Sequence, residues 1–280
     1  MIHLFTYIDS KYPSIVPHFL KYYVNYLGIK NHKVILHSEK NDSNRKLCIK
    51  YLNEYNITPT MVDSYSSQQK MDAVNEFIKN LDNDDWLIYP DVDEFFCYPN
   101  TLRKFLCECD KDNVTIVRGV FLDRMSHDKE LKTINNKESI WKQFPHELAH
   151  GGLSQILGVS PHKVVALKAK YEYESSHWLK EEGITKSEKV KYRREWLSWW
   201  PIKLNHKTHK YFHEILPVYH FRCDHDLYEK TKNRVNKIGN YDNHPKSLKF
   251  YEQVNSCIKR KDNRSFLDMP DKTKQSLILY

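Results

Sequence analysis

Apolar positions in the first third of the chain alternate between a short-run pattern and a helical one, and the alternation lays out strands and helices in turn. Residues 2–8 form a mostly apolar run that predicts a buried strand. A helix follows with Pro17 in its first turn, Phe19, Leu20, Tyr23, Val24 and Leu27 on one side, and Gly28 as its stop. Residues 34–37 predict a second strand. Asp42 or Ser43 then caps a helix whose face carries Leu47, Cys48, Tyr51, Leu52 and Tyr55. A short third strand spans 60–63, and residues 68–81 place Met71, Val74, Phe77, Ile78 and Leu81 at helical spacing. Residues 86–89 read as the fourth strand.

This βαβαβαβ order predicts a parallel sheet with right-handed crossovers, a fold of the α/β class. Ligands of such sheets bind beyond the carboxyl ends of the strands. Asp9, His37, Asp63, Asp91 and Asp93 all fall at or just past strand ends, so they can converge on one rim. After Pro99 a capped helix begins near Asn100, and a strand spans 114–121. The pattern turns irregular over 122–160. Strands at 164–167, 171–174 and 216–221 follow, with a helical tail. No repeat and no linker is visible, which predicts one domain whose second half shapes a substrate site.

The most informative stretch is Trp86-Leu-Ile-Tyr-Pro-Asp-Val-Asp-Glu-Phe-Phe96. A buried strand ends here in three carboxylates, Asp91, Asp93 and Glu94. Two aspartates separated by one residue repel each other, and that repulsion must be offset by a cation or by hydrogen-bond donors. A hard divalent ion, Mn²⁺ or Mg²⁺, held by one or two carboxylates and by phosphate oxygens, meets the need. The Asp-x-Asp element then holds a nucleoside diphosphate.

Composition narrows the field. A length of 280 residues can bury a large core, and the 40% hydrophobic content is that of a globular protein. The 7 glycines argue against a glycine-rich phosphate loop, and neither GxGxxG nor GxxxxGK[ST] occurs. A net charge of +8 suits an anionic partner, although an AT-rich genome enriches Lys and Asn whatever the function. The 6 cysteines show no CxxC pair, which argues against a zinc ribbon. No apolar run approaches the roughly 20 residues needed to span a bilayer. The chain starts directly on a strand, with no secretory leader ahead of it, so a cytoplasmic protein with reduced thiols is expected.

With these features in hand, the chain resembles a GT-A-fold glycosyltransferase of the family-2-like and family-92-like kind. The motifs that carry the resemblance are WLIYPDVDEFF at 86–96, VRGVFLDRMSHD at 117–128, ESSHW at 174–178 and VYHFRCDHD at 218–226. It is similar in particular to capsid-glycan transferases of chloroviruses and other large DNA viruses. The resemblance implies a Rossmann-like, mostly parallel central sheet flanked by helices. A glycosyltransferase domain would cover 1–235, split into a nucleotide-sugar half (1–125) and an acceptor half (126–235). Residues 236–280 would form a helical extension. It further implies a nucleoside-diphosphate sugar donor, UDP-linked and by analogy UDP-xylose, a glycan or glycoprotein acceptor, and a setting in the host cytoplasm. Asp93 would contact Mn²⁺ (or Mg²⁺) directly, and Asp91 would touch it or the ribose. His220 is the first match to a metal-contacting histidine, His177 the second. Thr6, Tyr7 and Asp9 would face nucleobase and ribose, Asp63 a uracil N–H, and Lys70 the diphosphate.

Displacement at an anomeric carbon passes through an oxocarbenium-like state, and an inverting enzyme needs a base near the acceptor hydroxyl. Asp123 is the first choice for that base, ahead of Asp224, Glu147 and Glu174; a structural ion pair is the competing role. A retaining reaction would need no base.

Two rivals come from the same sequence. His146-Glu-Leu-Ala-His150 matches HExxH, the zinc-peptidase signature, with Glu172 or Glu174 as a third ligand. Pro145 before it and Gly151-Gly152 after it leave about one and a half turns of helix, and the metzincin extension is absent. The basic run 189–203, containing Arg193, Arg194, Trp196, Trp199 and Trp200, fits nucleic-acid stacking, a membrane interface, sugar stacking or a half-buried helix. A nucleic-acid binder leaves Asp91, Asp93 and Glu94 unexplained, so no nucleic-acid partner is expected; peripheral membrane contact stays open.

Overall fold

The computed structural model describes residues 1–39, 42–127, 132–147, 162–175, 178–179 and 215–221. The chain divides into two compact units: Met1–Val120 with His162–Val218, and Phe121–Pro161 with Tyr219–Tyr280. Each is taken separately.

The first unit opens with β1 (Ile2–Asp9), buried along nearly its whole length. α1 (Val16–Leu20) carries Pro17 in its first turn, where the missing N–H costs nothing. It runs into a π-helical segment, Lys21–Tyr26, and ends at Gly28 with φ +68°. The wide turn falls where two consecutive tyrosines bond the same strand backbone. Tyr22 donates its hydroxyl to Phe96 O at 2.7 Å, and Tyr23 to Glu94 O at 2.9 Å. An ordinary α-turn was the expectation; the extra residue per turn coincides with this double anchorage.

β2 (Asn31–His37), α2 (Arg45–Asn53), β3 (Thr60–Val62), α3 (Ser67–Lys79) and β4 (Trp86–Ile88) follow in the predicted order. The residue before α2 is Asn44, and Asp42 instead accepts the Asn44 N–H at 2.9 Å, as a turn rather than a cap. Ser66 caps α3, accepting from Gln69 N at 3.1 Å. β5 (Glu94–Phe96), α4 (Leu102–Lys111), β6 (Ile116–Met125), α5 (Ile140–Gln143), β7 (His146–Glu147), β8 (His162–Lys168), β9 (Tyr173–Ser175), β10 (Trp178–Leu179) and β11 (Leu216–His220) complete the order.

The sheet runs β3-β2-β1-β4-β8-β6-β11-β5, and β7 pairs with the end of β6. β3, β2, β1 and β4 are mutually parallel; β8 joins β4 antiparallel and β6 joins β8 antiparallel. The fold is therefore mixed α/β, with the Rossmann-like parallel half that the periodicity predicts. β1 leads to β2 on one side, while β4 returns on the other. At such a reversal open α/β sheets bind ligands in the crevice beyond the carboxyl ends of the strands, here those of β1 and β4.

Phe5, Tyr7, Met71, Val74, Leu87, Tyr89 and Leu167 form the core between this sheet and α3. Gly119 of β6 leaves no room for a side chain: a Cβ there would lie 2.5 Å from both Val165 Cγ1 and Val218 Cγ2.

The second unit holds the far part of β6, α5, β7 and the end of β11. Its centre is the Arg124 guanidinium, which donates to Phe144 O at 3.0 Å, Pro145 O at 2.8 Å and Glu147 Oε1 at 2.6 Å. Trp141 and Tyr219 flank the same cation, 5.8 and 5.2 Å from ring centre to Cζ.

Candidate functional site

The crevice of the first unit is built by short connections. Along β1 and β4 the partners are Ile2 with Trp86, His3 with Leu87 and Leu4 with Ile88, which carries Thr6 to the level of Pro90. Thr6, fully buried, donates its hydroxyl to Pro90 O at 3.0 Å. It ties the acidic segment to β1; no face of it is open to a ligand. Asp91 and Asp93 sit in the turn between β4 and β5, both partly buried.

Two ammonium groups answer the carboxylates. Lys70, from the first turns of α3, bonds Asp91 Oδ1, and Lys163 of β8 lies 3.3 Å from Asp91 Oδ2 and bonds Glu94. Glu94 also accepts the Asp91 backbone N–H at 2.9 Å, closing the turn on itself. Lys163 and Glu94 are buried, whereas the Asp91 side chain keeps 32% of its surface exposed. Glu94 is thus an internal counter-charge, and Asp91 is the carboxylate within reach of a ligand. Burial alone would pull the Lys70 ammonium down, but Asp91 and the neighbouring tyrosines outweigh it and hold it well above the ordinary lysine value. Lys70 is therefore charged at any physiological pH. The buried Tyr89 hydroxyl beside it meets no well-aligned hydrogen-bond partner among the described residues.

Beside this cluster stands an aromatic wall. Tyr7 and Tyr65 meet edge to face at 5.2 Å, and His37 packs on Tyr65 at 5.9 Å. Burial, and next Tyr65, push the Tyr7 phenol up to about 12, so it stays a neutral donor; it bonds Ser64 O at 3.4 Å. Tyr65 remains 42% exposed. Asp9 lies 3.5 Å from His37 Nδ1 and accepts the Lys11 N–H at 3.0 Å, and Asp63 is exposed just past β3.

In the second unit, Asp123 is fully buried and its Oδ1 lies 2.8 Å from His220 Nδ1, an ion-pair approach off the hydrogen-bond direction. The His220 ring stacks on Phe121 at 4.9 Å. His220, expected as a metal contact, faces this carboxylate. Arg124 turns instead to Glu147. Burial pushes the Glu147 carboxyl up and pulls the guanidinium down, while their 2.6 Å contact opposes both shifts.

The peptidase geometry is not met. His146 and Glu147 lie on a strand paired with β6, not on a helix, and Glu147 is engaged by Arg124. His146 Nε2 sits 2.9 Å from His127 Nδ1. His150, His177, Asp224, the basic run 189–203 and the tail 236–280 lie outside the described residues.

Neither a family model nor a curated protein matches the sequence. Among solved structures, residues 1–349 of S. aureus TarS are similar at 15% identity and TM-score 0.35, over 91% of this chain and 72% of that one. A Bacillus anthracis protein described as a glucose-1-phosphate thymidylyltransferase, in complex with a sucrose, is 11% identical at TM-score 0.35, over 88% and 99%. The galactosyltransferase LgtC, with donor and acceptor sugar analogs, is 14% identical at TM-score 0.28, over 61% and 58%.

Lys163 and Tyr65 are not singled out by the sequence pattern. Lys163 comes from a strand 69 residues beyond Glu94, and no periodicity signals that pairing. Tyr65 had a signal: an aromatic residue between a strand-ending aspartate and a helix cap.

Among the described residues no three His, Cys, Asp or Glu side chains gather into a metal cage. Asp91 and Asp93 supply hard oxygen donors, and such donors suit a Mg²⁺- or Mn²⁺-sized cation that brings phosphate oxygens of its own.

Proposed function

We propose that the chain transfers a sugar from a nucleoside-diphosphate sugar, with UDP as the carrier, to a glycan hydroxyl. The observation that supports it best is the Lys70–Asp91–Lys163 cluster in the crevice between the ends of β1 and β4, with the half-exposed Tyr65 beside it. An exposed aromatic face suits a nucleobase, a buried ammonium suits a diphosphate, and paired aspartates suit a divalent cation. Bound there, the cation would neutralise the leaving diphosphate.

The chain's own residues divide the remaining work. Asp91 and Asp93 hold the cation. Lys70 faces the diphosphate as a fixed charge. Asp63 and Asp9, at the strand ends, bond base and ribose. The reaction is proposed as inverting, with Asp123 as the candidate base for the acceptor proton. The sugar is a hexose or a pentose such as xylose.

A screen of nucleotide sugars by thermal shift, with and without Mn²⁺, tests the reading, since a ligand of the native state raises its melting temperature. One nucleotide-sugar class should stabilise the protein in Mn²⁺ and then yield transfer product in mass spectrometry. If none does, while zinc copurifies and is lost on His146→Ala, the peptidase class replaces this one.

A further inference from the structure

In the cluster around Asp91, two carboxylates face two ammonium groups, and the pairs are not equivalent. Lys163 and Glu94 are both buried, 3% and 2% exposed, and have no room to part. Of the pair Lys70 and Asp91, 10% and 32% exposed, the ammonium is buried and the carboxylate sits at the open edge. Lys70 rises from a helix, on a side chain of four methylenes, with its ammonium 5.3 Å from the Tyr89 ring centre. A free divalent cation approaching Asp91 therefore meets a carboxylate already neutralised on both oxygens. To give Asp91 up, Lys70 would be left buried and unpaired, which is costly. A diphosphate arriving at the same moment removes that cost, because its oxygens take the freed ammonium.

We infer that Lys70 is an exchangeable counter-ion: it holds Asp91 in the empty site, and passes to the diphosphate when a cation takes Asp91, so that cation and diphosphate bind as a coupled pair. This rests on the proposed function and adds to it. Lys163 stays with Glu94 throughout and keeps the turn closed, so only one of the two ammonium groups moves. The Tyr89 hydroxyl lies beside the ammonium that moves. Because coupling is reciprocal, diphosphate must raise cation affinity by the same factor that the cation raises diphosphate affinity.

The test is titration calorimetry on the full chain with MnCl₂ alone, UDP in EDTA, and UDP in Mn²⁺, for the native protein and for Lys70→Met. In the native protein Mn²⁺ alone should bind weakly, and UDP should raise its affinity by roughly tenfold or more. Lys70→Met should move the two affinities in opposite directions: Mn²⁺ alone binds about tenfold tighter, while UDP in Mn²⁺ binds weaker and the coupling factor falls toward one. Lys70→Arg should keep the coupling. If Lys70→Met does not fold, Lys70→Gln, which keeps a polar stem without charge, is read the same way. Equal Mn²⁺ affinity in native and Lys70→Met protein, or unchanged coupling, overturns the inference and leaves the transferase reading standing. A native protein that binds no nucleotide in any condition removes that reading as well.

Discussion

Lys163 and Glu94 form a fully enclosed charge pair, and the same Glu94 carboxylate accepts the backbone N–H of Asp91 at 2.9 Å. The turn that presents Asp91 and Asp93 is thereby fixed from behind by a residue of β8. Removing one partner of a buried pair leaves the other charge uncompensated. Lys163→Met should cost about 3–5 kcal/mol in urea unfolding, and Glu94→Gln combined with Lys163→Met should recover part of it. A loss under about 1 kcal/mol for the single variant would show that the pair is solvated rather than enclosed.

Tyr23 should matter to the site from a distance. Its hydroxyl donates to Glu94 O at 2.9 Å and accepts from Phe96 N at 3.0 Å, which joins the π-helical segment to β5. Tyr23→Phe strands both groups in the core and should cost about 1–3 kcal/mol. Amide exchange of Phe96 would rise in the variant; unchanged protection would mean another donor takes over.

Gly119→Ala should be among the most damaging small substitutions in the sheet. The new methyl would meet two valine methyls at 2.5 Å and Leu216 O at 3.0 Å. Overpacking of this kind costs roughly 1–3 kcal/mol. Val165→Ala in the same protein should return part of the stability, as judged by the urea midpoint, if the clash is the cause.

The strand and helix order of the first half follows from periodicity alone, because each element buries one side against the next. The positions of Asp9, His37, Asp63 and Asp91 past strand ends come from the same reading. What periodicity could not supply is pairing across long separations. β8 runs antiparallel beside β4 and brings Lys163 to Asp91; no local pattern at 162–168 encodes that neighbour. The π-turn at Lys21–Tyr26 coincides with two tyrosine hydroxyls whose partners lie 74 and 71 residues later. The HExxH match illustrates the reverse error: spacing alone suggests a helix, whereas His146 and Glu147 pair with β6 as a strand.

Buried thiols should be unreactive while exposed Cys107 labels. Burial pushes the Cys48 and Cys109 thiols up to about 12, with nearby acids adding to the rise. Iodoacetamide at pH 8 should modify Cys107 well before either of them, read by peptide mass spectrometry. Both thiols are raised on folding, so the folded state binds more protons between the unfolded and folded values. Their contribution is complete below the unfolded thiol value and is lost as pH rises toward about 12. Rapid Cys48 labelling in the native protein would contradict its burial.

The central claim is that the turn after β4 holds a nucleoside diphosphate through its aspartates. Asp93 is partly buried in that turn, and its replacement by Asn keeps the shape while removing the charge. The most direct measurement is UDP affinity in Mn²⁺ by titration calorimetry for native and Asp93→Asn protein, with urea unfolding run beside it. The account predicts micromolar to millimolar binding in the native protein, a loss of about tenfold or more in the variant, and nearly equal stability. Equal UDP affinity in the two proteins would contradict it.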